Sequence, residues 1–326
     1  MATAPRVLGN SGIQTSAIGF GCWPIGGMFT LDGIADGYGE ANDSVSLRAL
    51  KAAVDHGINF FDTADAYGTG HSEEVMGRAF LGIRQKVVIS TKFGFTYDAN
   101  HRALTGKDVS PAYIRWACEQ SLRRLRTDYI DLYTLHVGDV PQTEADIVLD
   151  TLAALRDEGK IRAYCWSSWQ PAAAETLARH GGAAFMHECN VFNPMEDLLA
   201  ICERDHMASI NIFPLAMGLL GGKYNAASRF SHGEVRGSGH SWVGYFKDGA
   251  PVPEYLERLA AIRDVLTSGG RTLAQGALCW VLAKSPVTIP IPGFKTEAQA
   301  IENAQALSFG PLTPEQMAEI DRLLGE

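Results

Sequence analysis

The sequence contains no long apolar run and no basic stretch, and each absence excludes a class of protein. No segment approaches the roughly 18–20 consecutive apolar residues that cross a bilayer. The formal net charge is −9, from 28 Lys and Arg against 37 Asp and Glu, and no cluster of basic residues offsets it. An acidic chain of this kind is a poor ligand for nucleic acid or anionic membranes. We therefore expect neither partner, and an anionic ligand would need a local pocket.

Cysteine is scarce and scattered, with six residues and no CxxC pair. This spacing fits neither a disulfide framework nor a zinc site, so we expect reduced thiols and no bound metal. Residues 1–5 lack the basic and apolar regions of a secretory signal peptide. A reducing compartment, and hence a cytoplasmic location, is the expectation. The six are Cys22, Cys118, Cys165, Cys189, Cys202 and Cys279.

Eight short apolar runs recur along the chain, and a helical pattern follows each of them. Several runs lack alternation, as strands buried on both faces of a parallel sheet do. The sequence therefore predicts an α/β fold, a parallel (β/α)8 barrel formed by residues 1–326 as one domain. An open, doubly wound sheet is the alternative. The runs cover residues 17–22, 58–63, 87–93, 129–136, 161–167, 185–191, 209–215 and 287–292.

Helix boundaries are marked by capping residues. Ser110 precedes Pro111, an N-cap followed by a proline at the first helical position. The pairs Thr272/Gln275 and Thr313/Gln316 match the capping box, and the second pair predicts a C-terminal helix.

Two βα connections, 23–42 and 223–252, are unusually long. Both follow predicted strands and so lie on the face where barrel active sites form. Their aromatic residues either pack the loops on themselves or form the walls of a substrate pocket. These residues are Trp23, Phe29, Tyr38, Phe230, Trp242, Tyr245 and Phe246.

Four polar residues fall at or just after the ends of three neighbouring strands. Asp62 ends the second run, Tyr67 follows in the next loop, and Lys92 and His136 end the third and fourth runs. Taken singly, each residue is commonly a cap, a structural ion-pair member or a satisfied core side chain. In a barrel these strand ends are adjacent, so we expect the four side chains to converge.

Such a cluster is suited to protonating an oxygen. A free tyrosine has a pKa of about 10 and is a weak acid at neutral pH. We expect the Lys92 ammonium to lower the pKa of Tyr67, and Asp62 to keep that ammonium charged and oriented. His136 would hydrogen-bond a carbonyl oxygen.

The segment from Phe61 to Gly68, continuing to Ser72-Glu73-Glu74, resembles the signature of the aldo-keto reductase superfamily, with Lys92 and His136 where that family places the rest of its tetrad. The resemblance extends from a hairpin at residues 6–9 to residue 303. It implies a (β/α)8 barrel and hydride transfer between NAD(P)H and an aldehyde, ketone or sugar carbonyl. Tyr67 would be the general acid, or the general base in alcohol oxidation.

No GxGxxG motif opens a βαβ unit, so an ordinary Rossmann site is not expected. The resemblance instead implies a pyrophosphate loop after the seventh strand and an adenosine site near residue 295. Lys295 near a 2′-phosphate favours NADPH, with NADH a weaker alternative. The cofactor-binding residues implied are Trp23, Asp62, Ser167, Ser168, Phe213, Leu215, Gly218, Lys223, Gly293, Lys295, Gln299, Glu302 and Asn303.

The sequence departs from the family pattern around the nicotinamide. Ser168 stands in place of an Asn, Met186 in place of a Gln, and Gln299 in place of an Arg. The ring-stacking aromatic aligns with Ile212, or with Phe213 one position on.

Two other functions are compatible with the predicted barrel. Some members of the superfamily dock onto ion channels, so a cofactor-binding interaction subunit with little turnover is one alternative. A metal-dependent hydrolase using Asp62 and His136 is another, although the sequence shows no cluster of His, Asp or Glu spaced as metal ligands.

Overall fold

The computed structural model describes residues 3–325, and its centre is a parallel sheet of eight strands whose spatial order follows the sequence. The first and last strands meet through a parallel bridge between Gly21 and Gly293, and the Gly19 N–H donates to the Pro290 carbonyl at 3.0 Å. The predicted barrel is confirmed, and the open sheet is excluded. Its strands are β1 (Phe20–Gly21), β2 (Phe60–Asp62), β3 (Val88–Phe93), β4 (Ile130–Leu135), β5 (Ile161–Ser167), β6 (Ala184–Glu188), β7 (Ala208–Ile212) and β8 (Thr288–Pro290).

Within residues 3–325, ten α-helices and six 3₁₀ turns accompany the barrel. The helices are α1 (Asp43–Asp55), α2 (His71–Ala79), α3 (Pro111–Leu125), α4 (Gln142–Asp157), α5 (Pro171–Arg179), α6 (Glu196–Arg204), α7 (Pro253–Thr267), α8 (Leu273–Lys284), α9 (Glu297–Gln305) and α10 (Pro314–Leu324). The 3₁₀ turns are Gly9–Ser11, Trp23–Ile25, Arg84–Lys86, Ala216–Gly221, Ser268–Gly270 and Ala306–Ser308.

Both faces of the barrel strands are buried, which explains their uninterrupted apolar runs. On β4, Leu132 belongs to the core inside the barrel, whereas Tyr133 and Leu135 pack in the core between strands and helices. The predicted N-terminal hairpin is also present, with Arg6–Val7 paired antiparallel to Gln14–Thr15. Its loop places Leu8, which is fully buried, in the core inside the barrel.

The capping predictions are confirmed. The Ser110 hydroxyl accepts from the Tyr113 N–H at 3.3 Å, and α3 begins at Pro111. At the start of α8, the Thr272 hydroxyl accepts from the Gln275 N–H at 3.2 Å, and the Gln275 side chain accepts from the Thr272 N–H at 2.9 Å. The predicted C-terminal helix is α10, which has the same reciprocal box.

We expect Thr272→Ala to lower the free energy of unfolding by about 1 kcal/mol, because one N-terminal N–H of α8 loses its acceptor. Thr272→Ser keeps the hydroxyl and should change stability little. Urea unfolding followed by circular dichroism measures both. Equal losses in the two variants would contradict the capping role.

One sheet was not foreseen in the sequence. The hairpin Phe95–Asp98/Ala103–Lys107 follows β3, and the hairpin Phe29–Leu31/Ile34–Asp36 follows β1. A parallel contact between Thr30 and Ala103 joins them into a four-stranded sheet. A further hairpin, Phe246–Lys247/Ala250–Pro251, forms in the second long loop. The loops after β1 and β3 are therefore ordered structure beside the ends of the strands.

Among residues 3–325, no helix combines the length and the apolar character that crossing a membrane requires. All six cysteines are free thiols and buried.

Candidate active site

The four predicted catalytic residues line one cavity, of about 450 Å³, at the ends of the barrel strands. Lys92 lies at the centre of the cluster. Its ammonium donates to the Asp62 carboxylate at 2.5 Å, to the Thr63 carbonyl at 2.8 Å and to the Tyr67 hydroxyl at 3.1 Å. The expected convergence of the side chains is therefore observed.

The local sequence explains why these side chains meet. Asp62 is the last residue of β2, and its second carboxylate oxygen accepts from the Ser90 hydroxyl of β3 at 2.9 Å. Gly68 follows Tyr67 with φ +60°, and a Cβ there would lie 1.9 Å from the Gly26 carbonyl. A residue with a side chain at position 68 would displace the loop that carries Tyr67. The Tyr-Gly dipeptide is thus a packing requirement as well as part of a motif.

The Ser-Glu pair of the same motif connects the loop to its surroundings. The Ser72 hydroxyl donates to the Cys22 carbonyl at 2.9 Å and accepts from Thr63 at 2.8 Å. Glu73 is fully buried and accepts from the Thr91 hydroxyl and from Arg124, both at 2.6 Å. A buried carboxylate needs such partners, and together they fix the Tyr67 loop against β1 and β3.

The charges in the cluster follow from burial and proximity. Burial lowers the pKa of Lys92, but the charges of Asp62 and Tyr67 outweigh it, so the net direction is upward and the amine stays protonated. Burial raises the pKa of Tyr67, and Lys92 offsets that rise only in part. The expectation that Lys92 would bring the pKa of Tyr67 below its ordinary value is therefore wrong. The reason is that loss of solvent around the phenol exceeds the attraction of one ammonium that is already paired with Asp62.

His136 follows β4 and faces Tyr67. The two rings meet edge to face, with their centroids 5.8 Å apart, and Phe95 packs edge-on against the other side at 5.2 Å. Burial, assisted by the Lys92 charge, holds the pKa of His136 well below its usual value. The imidazole is therefore neutral at pH 7, and Nδ1 is buried with no hydrogen-bond partner among the described residues.

Most of the predicted cofactor residues line the same cavity. Three do not. Ser168 is buried and donates to the Gly138 carbonyl at 2.6 Å, the Glu302 carbonyl accepts from Gln275, and Asn303 is buried against the Gly293 carbonyl. Their predicted contacts with a cofactor stay predictions. Those on the cavity wall are Trp23, Asp62, Ser167, Phe213, Leu215, Gly218, Lys223, Gly293, Lys295 and Gln299.

The structure also shows where Met186, which stands in place of a family Gln near the nicotinamide, and the two candidates for the ring-stacking residue lie. Met186 lines the cavity beside Ser167, and both Ile212 and Phe213 lie on its wall. Phe213 stacks on Trp242, with the ring centroids 6.3 Å apart and the planes 16° from parallel. A flat face is therefore present where the family pattern places an aromatic ring.

The loop after β7 fits a phosphate group. Ala216, Met217 and Gly218 have successive positive φ angles of 46°, 55° and 96°, a rare backbone for residues with side chains. The Ala216 and Gly218 N–H groups donate within the loop, to the Phe213 and Leu215 carbonyls, both at 2.8 Å, so the loop offers an anion chiefly the close backbone approach that Gly218, without a side chain, allows. Lys223, Arg236 and Lys295 supply positive charge at the same cavity. The residues present thus fit a pyrophosphate-containing dinucleotide.

Lys295 lies at the junction of the first long loop and the start of α9. Its ammonium donates to the carbonyls of Tyr38 at 2.9 Å and Glu40 at 2.7 Å, and burial lowers its pKa. The helix cap beside it is only half a capping box. The Thr296 hydroxyl accepts from the Gln299 N–H, but the Gln299 side chain accepts from the Lys295 N–H at 2.8 Å.

The two long loops meet above the cavity. The Val235 N–H donates to the Gly37 carbonyl at 2.8 Å, and the Arg236 guanidinium lies 5.2 Å from the centre of the Tyr38 ring. Of the seven loop aromatics, Trp23, Phe29, Tyr38 and Trp242 line the cavity, whereas Phe230, Tyr245 and Phe246 pack in the hydrophobic core around it. The loop aromatics are therefore divided: one group packs in the core, as predicted, and the other lines the cavity, where a role in substrate binding stays a prediction.

Two charged residues on the cavity wall were not predicted from the sequence. Asp36 ends the hairpin after β1, and Arg236 pairs with Glu234 at the contact between the loops. Both occur in Gly-rich segments, whose composition is typical of solvent-exposed loops. Only the aromatic residues around them indicated burial.

Three comparisons place the chain among known proteins. The Aldo/keto reductase family profile matches residues 17–324. The Schizosaccharomyces pombe protein "Aldo-keto reductase yakc [NADP(+)]" is 29% identical, over 94% of this chain and 87% of its own length. The glycerol dehydrogenase of Gluconobacter oxydans superposes with a TM-score of 0.83 at 29% identity, over 100% of this chain and 96% of that one.

A second solved structure is an aldo-keto reductase of Klebsiella pneumoniae in complex with NADPH. It has a TM-score of 0.72 and 27% identity, and it covers 99% of this chain and 95% of its own. The chain belongs to the aldo/keto reductase family. It is an oxidoreductase, as the sequence predicts.

Proposed function

We propose that the protein reduces an aldehyde, ketone or sugar carbonyl with NADPH, or oxidises the corresponding alcohol, with Tyr67 as the proton donor. The observation that carries this proposal is the Lys92 ammonium, within 3.1 Å of both the Asp62 carboxylate and the Tyr67 hydroxyl inside a largely apolar cavity. The bound NADPH of the Klebsiella relative and the NADP(+) in the name of the Schizosaccharomyces relative support the choice of cofactor. The Gluconobacter relative is named for an alcohol substrate.

A nicotinamide held in this cavity would supply the hydride that the carbonyl carbon accepts. Tyr67 then gives the proton of its hydroxyl to the carbonyl oxygen, and Lys92 stabilises the phenolate that remains. Asp62 keeps Lys92 charged and aimed at Tyr67. Neutral His136, opposite Tyr67, orients the carbonyl oxygen through a ring nitrogen. Tyr67 holds its proton at neutral pH, since its ordinary pKa of about 10 is raised further by burial.

We also propose which elements of the barrel contact each part of the cofactor, and the position of these residues on one cavity wall supports the proposal. Ser167 and Phe213 would contact the nicotinamide, the loop with Gly218 and Lys223 the pyrophosphate, and Lys295 the 2′-phosphate. We propose further that residues 1–326 act as one domain, because the loops after β1 and β7 and the start of α9 all contribute to this wall.

We expect purified protein to consume NADPH with a higher kcat/KM than NADH in a panel of aldehydes and ketones. Lys295→Ala should raise the KM for NADPH roughly tenfold, as loss of one charge-assisted contact does, and change the KM for NADH less. Lys247→Ala, an exposed residue of the second long loop, is the matched control. Absorbance at 340 nm follows both cofactors.

Two results would count against this assignment. Equal rises in the two KM values would show that Lys295 only fixes the loop carbonyls of Tyr38 and Glu40. Tight NADPH binding with no turnover across the panel would favour the cofactor-binding interaction subunit.

A further inference from the structure

Asp36 is a buried carboxyl on the wall of the cavity that holds the catalytic cluster. It ends the hairpin after β1, is 5% exposed, and lies on the same wall as Tyr67. Its Oδ1 atom is buried and has no hydrogen-bond partner among the described residues. The Asp36 charge also acts on Tyr67. Burial is the main cause of the raised pKa of Tyr67, and the charge of Asp36 raises it further.

Asp36 takes a backbone hydrogen bond from Gly37 but has no cationic partner, whereas two other buried carboxyls do. Asp62 pairs with Lys92 at 2.5 Å, and Asp131 pairs with Arg84 at 2.7 Å and Arg162 at 2.6 Å. Asp65 also has unpaired oxygens, but it is fully buried away from the cavity wall and is influenced by the Arg124 charge. Asp36 alone among these combines an open acceptor with a place on the substrate cavity.

An open acceptor in an apolar cavity calls for a donor on the ligand, since a buried polar group without a partner is costly. Burial raises the pKa of Asp36 to about 7, so near neutrality the carboxyl is present both as an acceptor and as a donor. An ammonium ligand would face the positive charges of Lys92, Arg236 and Lys295, which line the same cavity. A neutral hydroxyl meets no such repulsion and matches both forms of the carboxyl.

We propose that Asp36 hydrogen-bonds a hydroxyl of the substrate and so selects hydroxyaldehydes and hydroxyketones over their deoxy analogues. This inference rests on the proposed carbonyl reductase function and names the class of carbonyl compound that the site prefers. Sites built to hydrogen-bond a substrate hydroxyl discriminate strongly against analogues that lack it, because the buried group is then left unpaired.

The test uses matched pairs: 2-hydroxypropanal against propanal, and hydroxyacetone against acetone, each with NADPH. For each pair the ratio of kcat/KM values, hydroxylated over deoxy, should be about 10–100 in the wild type. Asp36→Leu should bring the ratio close to one. Asp36→Asn keeps an acceptor oxygen and should retain most of the preference. Asp32→Asn, on an exposed turn of the same hairpin, should leave the ratio unchanged.

The outcomes separate failure of this inference from failure of the proposed function. If carbonyls are reduced but the ratio is the same in wild type and Asp36→Leu, the role of Asp36 is refuted. If no carbonyl is reduced, the proposed function fails, and binding decides the role of Asp36. In that case 1,2-propanediol and 1-propanol are titrated in the presence of NADP⁺ by tryptophan fluorescence. Tighter binding of the diol, lost in Asp36→Leu, supports the inference, and equal binding overturns it.

Discussion

Replacing Tyr67 with Phe should lower kcat by about 10²–10⁴-fold, the range that general acid catalysis contributes. The substitution removes one hydroxyl, and the ring should keep its stacking on Trp23, whose centroid lies 5.8 Å away. The proposed cofactor contacts come from β5, the loop after β7 and the start of α9. NADPH affinity, measured by quenching of tryptophan fluorescence, should therefore stay within a few fold of the wild type.

Tyr255→Phe is the matched control for this experiment. Tyr255 lies outside the cavity and packs against Phe192 and Tyr245, so removing its hydroxyl should leave kcat unchanged. A Tyr67→Phe protein with near-normal kcat on several carbonyls would refute the assignment of the proton donor.

Lys92→Met should both abolish efficient turnover and destabilise the fold. Lys92 and Asp62 have side chains that are 1% and 3% exposed, so the variant leaves a buried carboxyl without its cation. Breaking a buried pair in this way costs about 3–5 kcal/mol of unfolding free energy. Urea unfolding measures the loss, and NADPH oxidation measures the fall in kcat, which should be similar to that of Tyr67→Phe.

The double variant Asp62→Asn/Lys92→Met tests the origin of the lost stability. Because it removes the uncompensated charge, it should regain at least half of the loss while staying inactive. In Lys92→Met alone, burial favours protonated Asp62 and raises its folded-state pKa. Protonation of Asp62 therefore stabilises the folded variant. This contribution is complete below the unfolded-state Asp pKa of about 3.9 and is lost as the pH rises through the folded-state pKa of Asp62. The deficit relative to wild type should therefore be smallest near pH 4 and grow toward pH 7. A deficit independent of pH would point to lost packing instead.

The barrel was readable from the sequence because its strands are buried on both faces. The apolar run 161–167 coincides with β5, whereas the runs at 185–191 and 209–215 extend past the strands that they predict. Hydrophobicity continues beyond those strands because the residues that follow β6 are buried and those that follow β7 are at least partly buried. Phe213, with φ +50°, ends β7 in a conformation that no composition rule marks.

The catalytic cluster was predictable because each member occurs at a strand end, and parallel strands end on one face. The place of Asp36 on the cavity wall was not predictable, since its segment has the glycines and acidic residues of a solvated loop. The second long loop contacts this hairpin, where the Val235 N–H donates to the Gly37 carbonyl, at a sequence distance that no local pattern spans. The prediction that the pKa of Tyr67 would be lowered was wrong for a related reason. Sequence names the charges near a phenol but not the amount of water excluded around it.

Closure of the barrel between β1 and β8 has a consequence for synthesis of the chain. The Gly19 N–H bonds to the Pro290 carbonyl, about 270 positions later in the sequence. At ribosomal rates of synthesis, β8 is therefore made roughly 15–50 s after β1, which until then has only β2 as a neighbour. During that interval its free edge is open to pairing with other nascent chains, a hazard that exposed strand edges carry. β1 has only two residues and β8 only three. The seam that closes last is thus made of strands too short to recruit another chain.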